Sequence, residues 1–320
     1  MSYLLLILGF ILLIKGADFF VDGSSGVAKL LKVPSIIIGL TVVAFGTSLP
    51  EASVSINAAL NGQNSLAVSN VLGSNLFNLL IVLGASALMN PIKADETVLK
   101  REFPFSIIAT VVLLILSIKF DFTTFITGEG KYSLGRISGI ILLILFIIFL
   151  VIQIQDALKA RNENNDAETS ENMHPLKCAA WIIIGLAGIV WGGDLVVNSA
   201  TDIALQFGWS ETFIGLTIVA MGTSLPELVT SVVASKKGEN DLALGNVVGS
   251  NIFNTLLILG ASAAISPIMV EINAIIDMLV LIIISILGLI FAKSNKTFNK
   301  KEGIIFLLIY AVYFIYIYLR

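Results

Sequence analysis

The sequence predicts an all-α membrane protein with ten transmembrane helices, arranged as two inverted-topology repeats of five. Three observations lead to this fold class: a very apolar composition, an internal duplication, and an odd number of apolar segments in each half. Of the 320 residues, 57% are hydrophobic and only 13% are charged, whereas soluble domains contain roughly 25% charged residues. The composition therefore excludes an ordinary water-soluble enzyme.

The apolar segments are long enough to cross a bilayer, which requires roughly 20 mostly apolar residues. They use most of the chain, so little sequence remains for a soluble domain. We expect five spans in each half, at about 2–31, 33–60, 66–90, 103–120 and 134–155, and then at about 177–206, 210–236, 242–266, 272–293 and 302–319.

The chain repeats itself after 176 residues. Residues 39–55 and 215–231 are identical at 12 of 17 positions, and residues 69–87 and 245–263 at 13 of 19. The matching positions include Gly, Thr, Ser, Pro, Glu and Asn, which a bias toward apolar residues does not explain. We therefore interpret the chain as an internal duplication, whose most similar blocks lie within 39–87 and 215–263.

A polar segment divides the two repeats. Residues 1–155 form the first repeat, residues 156–176 a solvated linker, and residues 177–320 the second repeat. Because each half contains an odd number of spans, the second half must enter the membrane in the opposite sense. Inverted repeats of this kind are typical of secondary transporters.

Basic residues predict the orientation, since cytoplasmic loops of membrane proteins are enriched in Lys and Arg. If the N-terminus is outside, the inner loops contain 14 basic residues and the outer segments contain four, with Lys15 inside the first span. We therefore expect a multi-pass protein of the cell membrane with a cytoplasmic linker and with both termini outside.

A helix-breaking motif, Gly-Thr-Ser-Leu-Pro-Glu, interrupts the second and seventh spans. A proline inside a helix removes one backbone donor and clashes with the carbonyl four residues earlier. Pro50 should therefore free the carbonyl of Gly46 and disturb that of Ala44 or Phe45, and Pro226 should act in the same way. Free carbonyls at membrane depth are tolerated only inside protein or around a wet cavity, so we expect a polar site here.

Glu51 and Glu227 end the two copies of this motif. A carboxylate near the bilayer centre costs about 2.5–3.5 kcal/mol on insertion scales, so such residues are rare and usually functional. Thr47 lies four residues before Glu51 and shares its helix face. No basic residue within these spans is placed to act as counter-ion, so the carboxylates should be protonated or bound to a cation.

The third and eighth spans add further oxygen donors at a spacing of four. Hard cations such as Ca²⁺ and Na⁺ prefer oxygen ligands of this kind, and two negative charges match one Ca²⁺. These side chains could instead hold helices together by hydrogen bonds, and the threonines could bond back to their own helix. The donors are Ser74, Asn78, Ser250 and Asn254.

The paired motifs GTSLPE and GSNxFN resemble the alpha repeats of the sodium/calcium exchangers, within the calcium/cation antiporter superfamily. The resemblance covers nearly the whole chain and indicates a compact, prokaryotic-type member, because the short linker has no room for regulatory calcium-binding domains. It implies a Na⁺/Ca²⁺ antiporter whose long first and sixth spans slide across the core. The ion-binding residues that it implies are Glu51, Glu227, Thr47, Ser48, Thr223, Ser224, Ala44, Ala220, Ser74, Asn78, Ser250 and Asn254.

Within this resemblance, the alanines would supply backbone carbonyls to Na⁺ sites, and the hydroxyl residues would surround the carboxylates. Some relatives, including potassium-dependent exchangers, carry an aspartate in place of Asn254. Two amides in the site therefore argue for two formal charges and against K⁺ co-transport.

Other functions stay open at this point. Buried glutamates also accept protons, so H⁺/Ca²⁺ antiport or K⁺-dependent exchange is an alternative, and a cation channel lined by the glutamates is a further one. Neither metal-ligand histidines nor a nucleophile–base pair supports an intramembrane hydrolase. We expect no enzymatic activity, no resident cofactor, no nucleic acid and no protein partner; Ca²⁺ and Na⁺ are the transported substrates.

Overall fold

The computed structural model describes residues 2–93, 96–118, 132–163, 174–209 and 220–319. Short β-strands and π-helical turns accompany the helices. The helices are α1 (Ser2–Leu31), α2 (Ser35–Ile38), α3 (Ala44–Thr47), α4 (Leu49–Leu60), α5 (Asn64–Phe77), α6 (Leu83–Met89), α7 (Phe103–Ile118), α8 (Arg136–Glu163), α9 (Pro175–Gln206), α10 (Ala220–Gly222), α11 (Leu225–Lys236), α12 (Asn240–Ile252), α13 (Leu259–Ile265), α14 (Ile272–Asn295) and α15 (Lys300–Leu319). The π-helical turns are Gly39–Val43, Asn78–Val82, Val98–Glu102 and Phe253–Ile258, and the strands are β1 (Ile92–Lys93), β2 (Tyr132–Leu134), β3 (Ile268–Val270) and β4 (Thr297–Phe298).

The protein is a multi-pass, helical membrane protein. Among the described residues, eight helices are long and apolar enough to cross a membrane, and a bent pair formed by residues 35–60 makes up to nine. The expected seventh span lies partly outside the described ranges, which resume at residue 220. The ten-span arrangement therefore stays a prediction.

Two helix boundaries differ from the expected spans. The fourth span starts at Val98 rather than near residue 103, because a π-helical turn precedes α7. Helix α8 continues to Glu163 and enters the segment expected to be linker. An ion pair between Arg101 and Asp156 ties this extension to the π-helical turn.

The long helices α1 and α9 pack against each other through glycines and run antiparallel. A Cβ atom added at Gly9 would meet the backbone of Gly192, and one added at Gly16 would meet the backbone of Gly185. The contacts thus proceed in opposite directions along the two helices. Gly185 and Gly192 stand 176 residues after Gly9 and Gly16. The duplication therefore relates the Gly9–Gly192 contact to the Gly16–Gly185 contact.

Two further helix pairs also join one half of the chain to the other. Gly84 of the first half lies against Gly303 of the second, while Gly260 of the second lies against Gly139 of the first. The third helical segment of each half therefore packs on the last helix of the other. Glycine permits this close approach because it has no side chain.

Two short antiparallel strand pairs add a small departure from the all-α expectation. Ile92 of β1 pairs with Phe298 of β4, and Leu134 of β2 pairs with Ile268 of β3. Ile268 is the residue 176 positions after Ile92. Each pair therefore joins one half of the chain to the other, and the duplication relates the two pairs.

The third and eighth segments form the centre of the protein. In their most apolar stretches, 78% of the residues of Asn64–Met89 and 94% of those of Asn240–Ile265 are buried. The corresponding share is only 33% for Ser2–Leu31 and 28% for Pro175–Gln206. The polar residues of the repeated motifs therefore face protein, whereas α1 and α9 lie at the periphery.

Gly185→Ala should lower the thermal stability of the purified protein. The added Cβ would meet the backbone of Phe20 and Gly16, and overpacking of this kind typically costs about 1–3 kcal/mol. The measurement is thermal unfolding in detergent, followed by size-exclusion chromatography. Gly193→Ala is the control, because a Cβ at Gly193 meets no described atom within 4 Å; equal melting temperatures for the two variants would contradict the packing described.

Candidate ion-binding site

The repeated motif breaks its helix at the serine, and a new helix begins at the leucine that follows. The second span bends by 50° between residues 35–47 and residues 49–60, with Ser48 at the break. Pro50 lies in the first turn of α4, where a missing N–H is harmless. Pro226 occupies the same place in α11. Of the two carbonyls that the proline was expected to disturb, that of Ala44 accepts the N–H of Ser48 at 3.1 Å.

This break places both carboxylates in the first turn of a helix, inside the protein. Glu51 is the third residue of α4 and Glu227 is the third residue of α11, and both side chains are 0% exposed. Negative charge is favoured at a helix N-terminus, because the free N–H groups point toward it. The motif therefore does two things at once: it interrupts the span and it presents an acid at the interruption.

Serines exchanged between the halves bring the two carboxylates into one site. Ser224 donates to Oε1 of Glu51 at 3.1 Å, and Ser48 donates to Oε1 of Glu227 at 3.1 Å. Ser74 of the third segment also donates to Oε1 of Glu51, at 3.2 Å. Each carboxylate is thus held by a hydroxyl group of the opposite half.

The asparagines of the third and eighth segments lie beside these carboxylates. Nδ2 of Asn254 donates to Oγ of Ser74 at 3.1 Å, and Nδ2 of Asn78 donates to Oδ1 of Asn251 at 3.2 Å. Asn78 begins one π-helical turn and Asn254 lies in another. Such turns inside α-helices occur frequently at functional sites.

Four buried oxygens at this place have no hydrogen-bond donor among the described residues. They are one carboxylate oxygen of each glutamate and one amide oxygen of each asparagine, so all four can only accept or coordinate while the acids are ionised. Buried polar atoms are nearly always satisfied, and these atoms belong to residues paired by the duplication. The atoms are Glu51 Oε2, Glu227 Oε2, Asn78 Oδ1 and Asn254 Oδ1.

The threonines bond mainly to the surrounding framework. Thr47 lies 3.1 Å from the carbonyl of Val43 and 3.0 Å from Oδ1 of Asn246. Thr223 donates to Oδ1 of Asn70 at a longer 3.4 Å. The back-bonding interpretation therefore applies to Thr47, which in addition reaches the second half.

The hydroxyl of Ser250 interacts with the carboxylate of Glu227, whereas the two alanines are less directly placed. Ser250 is buried, and its hydroxyl lies 3.5 Å from the hydroxyl of Thr47 and 3.5 Å from the amide oxygen of Asn246. Ala44 is buried in α3. Ala220 is the first described residue of α10, and its side chain lies outside the description. The proposed carbonyl ligands thus stay a prediction.

Sequence reasoning missed two asparagines that support the acidic helices. Asn70 donates to Oγ of Ser55 at 2.9 Å and to the carbonyl of Glu51 at 3.4 Å. Asn246 makes the same two bonds in the second half, at 2.9 Å to Ser231 and at 3.5 Å to the Glu227 carbonyl. The available signal was the spacing of four that places Asn70 on the helix face of Ser74 and Asn78.

The site offers carboxylate, amide and hydroxyl oxygens from both halves rather than a cluster of acids. We call the set of Glu51, Glu227, Asn78 and Asn254 with their serine partners the cage. In the described part of the chain, no group of three or more His, Cys, Asp or Glu side chains is placed to hold a metal. A cavity of about 390 Å³ reaches Pro50, Thr223 and Pro226 beside the cage and is lined on its other wall by Asp194 and Val197.

Comparison with known proteins identifies the family. The family model described as sodium/calcium exchanger protein matches residues 1–155 and 177–319. The chain belongs to this family. The match omits the central segment and covers both repeats, so the exchanger is a compact, prokaryotic-type member.

Its relatives cover nearly the same length of chain. The sodium/calcium exchanger MaX1 of Methanosarcina acetivorans is 33% identical over 351 residues, covering 99% of this exchanger and 98% of MaX1. The inner membrane protein YrbG of Escherichia coli is 39% identical over 272 residues, covering 82% and 79%. A solved structure of the sodium-calcium exchanger NCX_Mj, soaked with 10 mM Na⁺ and zero Ca²⁺, has 34% identity and a TM-score of 0.83, covering 97% of both chains.

Asn246→Ala should destabilise the exchanger by about 1–3 kcal/mol, because it leaves the buried partners Ser231 and Thr47 short of a hydrogen bond. Thermal unfolding in detergent measures the effect. Asn57→Ala is the control, since the Asn57 amide is exposed and, among the described residues, bonds to the Ser53 carbonyl of its own helix. A control as destabilising as Asn246→Ala would show that the buried bonds contribute nothing.

Proposed function

We propose that the protein is a secondary active antiporter that exchanges Na⁺ for Ca²⁺ by alternating access at a mid-membrane site made of oxygen ligands. The observation that carries this proposal is the reciprocal holding of Glu51 and Glu227 by Ser224 and Ser48, next to buried oxygens without a donor. A bound cation would provide the positive partner that these oxygens lack.

The composition of the cage favours Ca²⁺ and Na⁺ as the transported ions. Ca²⁺ takes six to eight oxygen ligands, including carboxylates and amide carbonyls. Two carboxylates balance one Ca²⁺, and Na⁺ ions can replace it with the help of the surrounding hydroxyl and carbonyl oxygens. Asn78 and Asn254 supply amides rather than further charges, which favours a site without K⁺.

The same charges couple the two ions. An empty site would carry the ionised carboxylates of Glu51 and Glu227 through the low-dielectric part of the membrane, which is unfavourable. The site therefore changes sides only when Ca²⁺ or Na⁺ occupies it. An inward Na⁺ gradient would then drive Ca²⁺ out of the cell.

An inverted arrangement of ten spans suits this cycle. The antiparallel contact of α1 with α9 and the strand pairs that join the halves support two inverted repeats of five. The distribution of basic residues supports a cell-membrane protein with both termini outside and residues 156–176 in the cytoplasm. Among relatives, the names of MaX1 and NCX_Mj, a sodium/calcium and a sodium-calcium exchanger, support the choice of ions.

Proton coupling is the second candidate, because protonation would also satisfy the unpaired carboxylate oxygens of Glu51 and Glu227. A protonated carboxyl group could also donate to the unpaired amide oxygens of Asn78 and Asn254, so these oxygens accept either a proton donor or a metal ion. The names of MaX1 and NCX_Mj favour Na⁺ as the coupling ion.

Glu51→Gln and Glu227→Gln should each abolish Na⁺-dependent ⁴⁵Ca²⁺ uptake into proteoliposomes, since each removes one of the two charges that balance Ca²⁺. Asp277→Asn is the matched control. Asp277 is also a buried carboxylate in an apolar helix, and it accepts a hydrogen bond from the hydroxyl of Tyr313 at 3.0 Å. Wild-type flux in either glutamate variant would contradict the assignment.

Ca²⁺ flux should follow an imposed Na⁺ gradient and reverse when that gradient is reversed. The measurement varies Na⁺, K⁺ and pH gradients one at a time across the same proteoliposomes. Flux driven by pH without Na⁺ would favour proton coupling, dependence on K⁺ would favour a K⁺-dependent exchanger, and flux that needs no ion on the opposite side would indicate a channel.

A further inference from the structure

The C-terminal half of α1 is held to the loop after α11 by an ion pair. Nζ of Lys237, the residue that follows α11, lies 2.8 Å from Oδ1 of Asp22 and 3.4 Å from Oδ1 of Asp18. It also donates to the backbone carbonyl of Asp18 at 2.9 Å. A single lysine thus makes three contacts over one turn of the long helix.

A second contact lies next to the first. Ser25 of α1 donates to Oε1 of Glu239 at 2.5 Å, two residues beyond Lys237. The loop between α11 and α12 therefore holds α1 through both an ion pair and a hydrogen bond. We name this set of contacts, formed by Lys237 and Glu239 with Asp18, Asp22 and Ser25, the loop latch.

The duplication provides the matching positions on the other face, and the latch is missing there. Lys237 and Glu239 correspond to Asn61 and Gln63, which cannot form its ion pair. On α9, the counterparts of Asp18, Asp22 and Ser25 are Asp194, Asn198 and Thr201. These three side chains make no ion pair or hydrogen bond with other described side chains, and the Thr201 hydroxyl is buried with no partner among them.

The two faces also differ in how open they are. The cavity of about 390 Å³ runs along the unlatched face, lined by Gly193 and Val197 of α9. Their counterparts on α1 are Ala17 and Val21, which are both 0% exposed. The protein is therefore open beside α9 and closed beside α1, where the loop latch lies.

We propose that Lys237 is a positioning residue that holds α1 closed and thereby favours the state in which the ion site opens along α9. This inference rests on the alternating access of the proposed function. Because the opposite loop has Asn61 in the equivalent position, the device acts on one face only. The duplicated transporter is thus biased toward one of its two otherwise equivalent states.

The strength of the latch suits a bias rather than a lock. Lys237 is 28% exposed and Asp22 43% exposed, and ion pairs in contact with water are weak and screened by salt. The latch can therefore open in each cycle.

The test measures which face is accessible, without requiring transport. In a Cys178→Ala background, Val197→Cys probes the open cavity and Val21→Cys probes the equivalent position on the closed face. Lys237→Asn, which copies residue 61, should lower the labelling rate at position 197 relative to position 21. We expect a change of about two- to fivefold, as for breaking an exposed ion pair. Lys237→Arg keeps the charge and should keep the wild-type ratio.

A second variant tests the idea in the opposite direction. Asn61→Lys combined with Asn198→Asp builds a matching pair on the open face and should also lower labelling at position 197. An unchanged labelling ratio in both Lys237→Asn and this double variant, with the purified proteins monodisperse, would overturn the proposal. A shifted ratio in a protein whose Ca²⁺ flux ignores Na⁺ would support the latch and reject the proposed coupling ion instead.

Discussion

Two buried carboxylates, with no basic partner in the described part of the chain, impose the main constraint on this protein. Glu51 and Glu227 are fully enclosed, and each has one oxygen held by a serine of the opposite half and one oxygen that no described group satisfies. The broken helices follow from this constraint, because a helix with the acid in its first turn directs its free N–H groups toward the negative charge. The asparagines Asn70 and Asn246 follow from it as well, because they bond to the backbone carbonyls of the two glutamates and hold their helices in place.

The duplication gives the site its symmetry. One motif that breaks a helix and ends in an acid occurs once in each half, and the two copies together form the cage. The asparagines Asn70 and Asn246 repeat the same two bonds at nearly the same lengths. The halves differ where Thr47 contacts Asn246 more closely than Thr223 contacts Asn70. These differences accompany the opening of one face only.

The sequence predicted the membrane class and the family, because both depend on local chemistry that is rare elsewhere. It also singled out the two acids that the structure links through serines of the opposite half; their role in ion binding stays a prediction. It could not show that Asn70 and Asn246 support the glutamate helices, since an asparagine in a polar stretch carries no sign of its partner. The position of the helix break was also beyond it. A proline is compatible with a kink four residues earlier or with a new helix start, and only packing around Ser48 decides between them. The ion pair of Arg101 with Asp156, which accompanies the longer α8, joins residues far apart in the chain.

The exchange of helices between the halves has a consequence for biogenesis. Gly84 rests on Gly303 and Gly260 rests on Gly139, so the glycine face at Gly84 is synthesised long before α15, the helix that covers it. The helix that contains Gly84 therefore cannot complete its packing until α15 has been inserted. A substitution that disrupts α15 would leave this face of the first repeat uncovered, although the substitution itself lies in the second repeat.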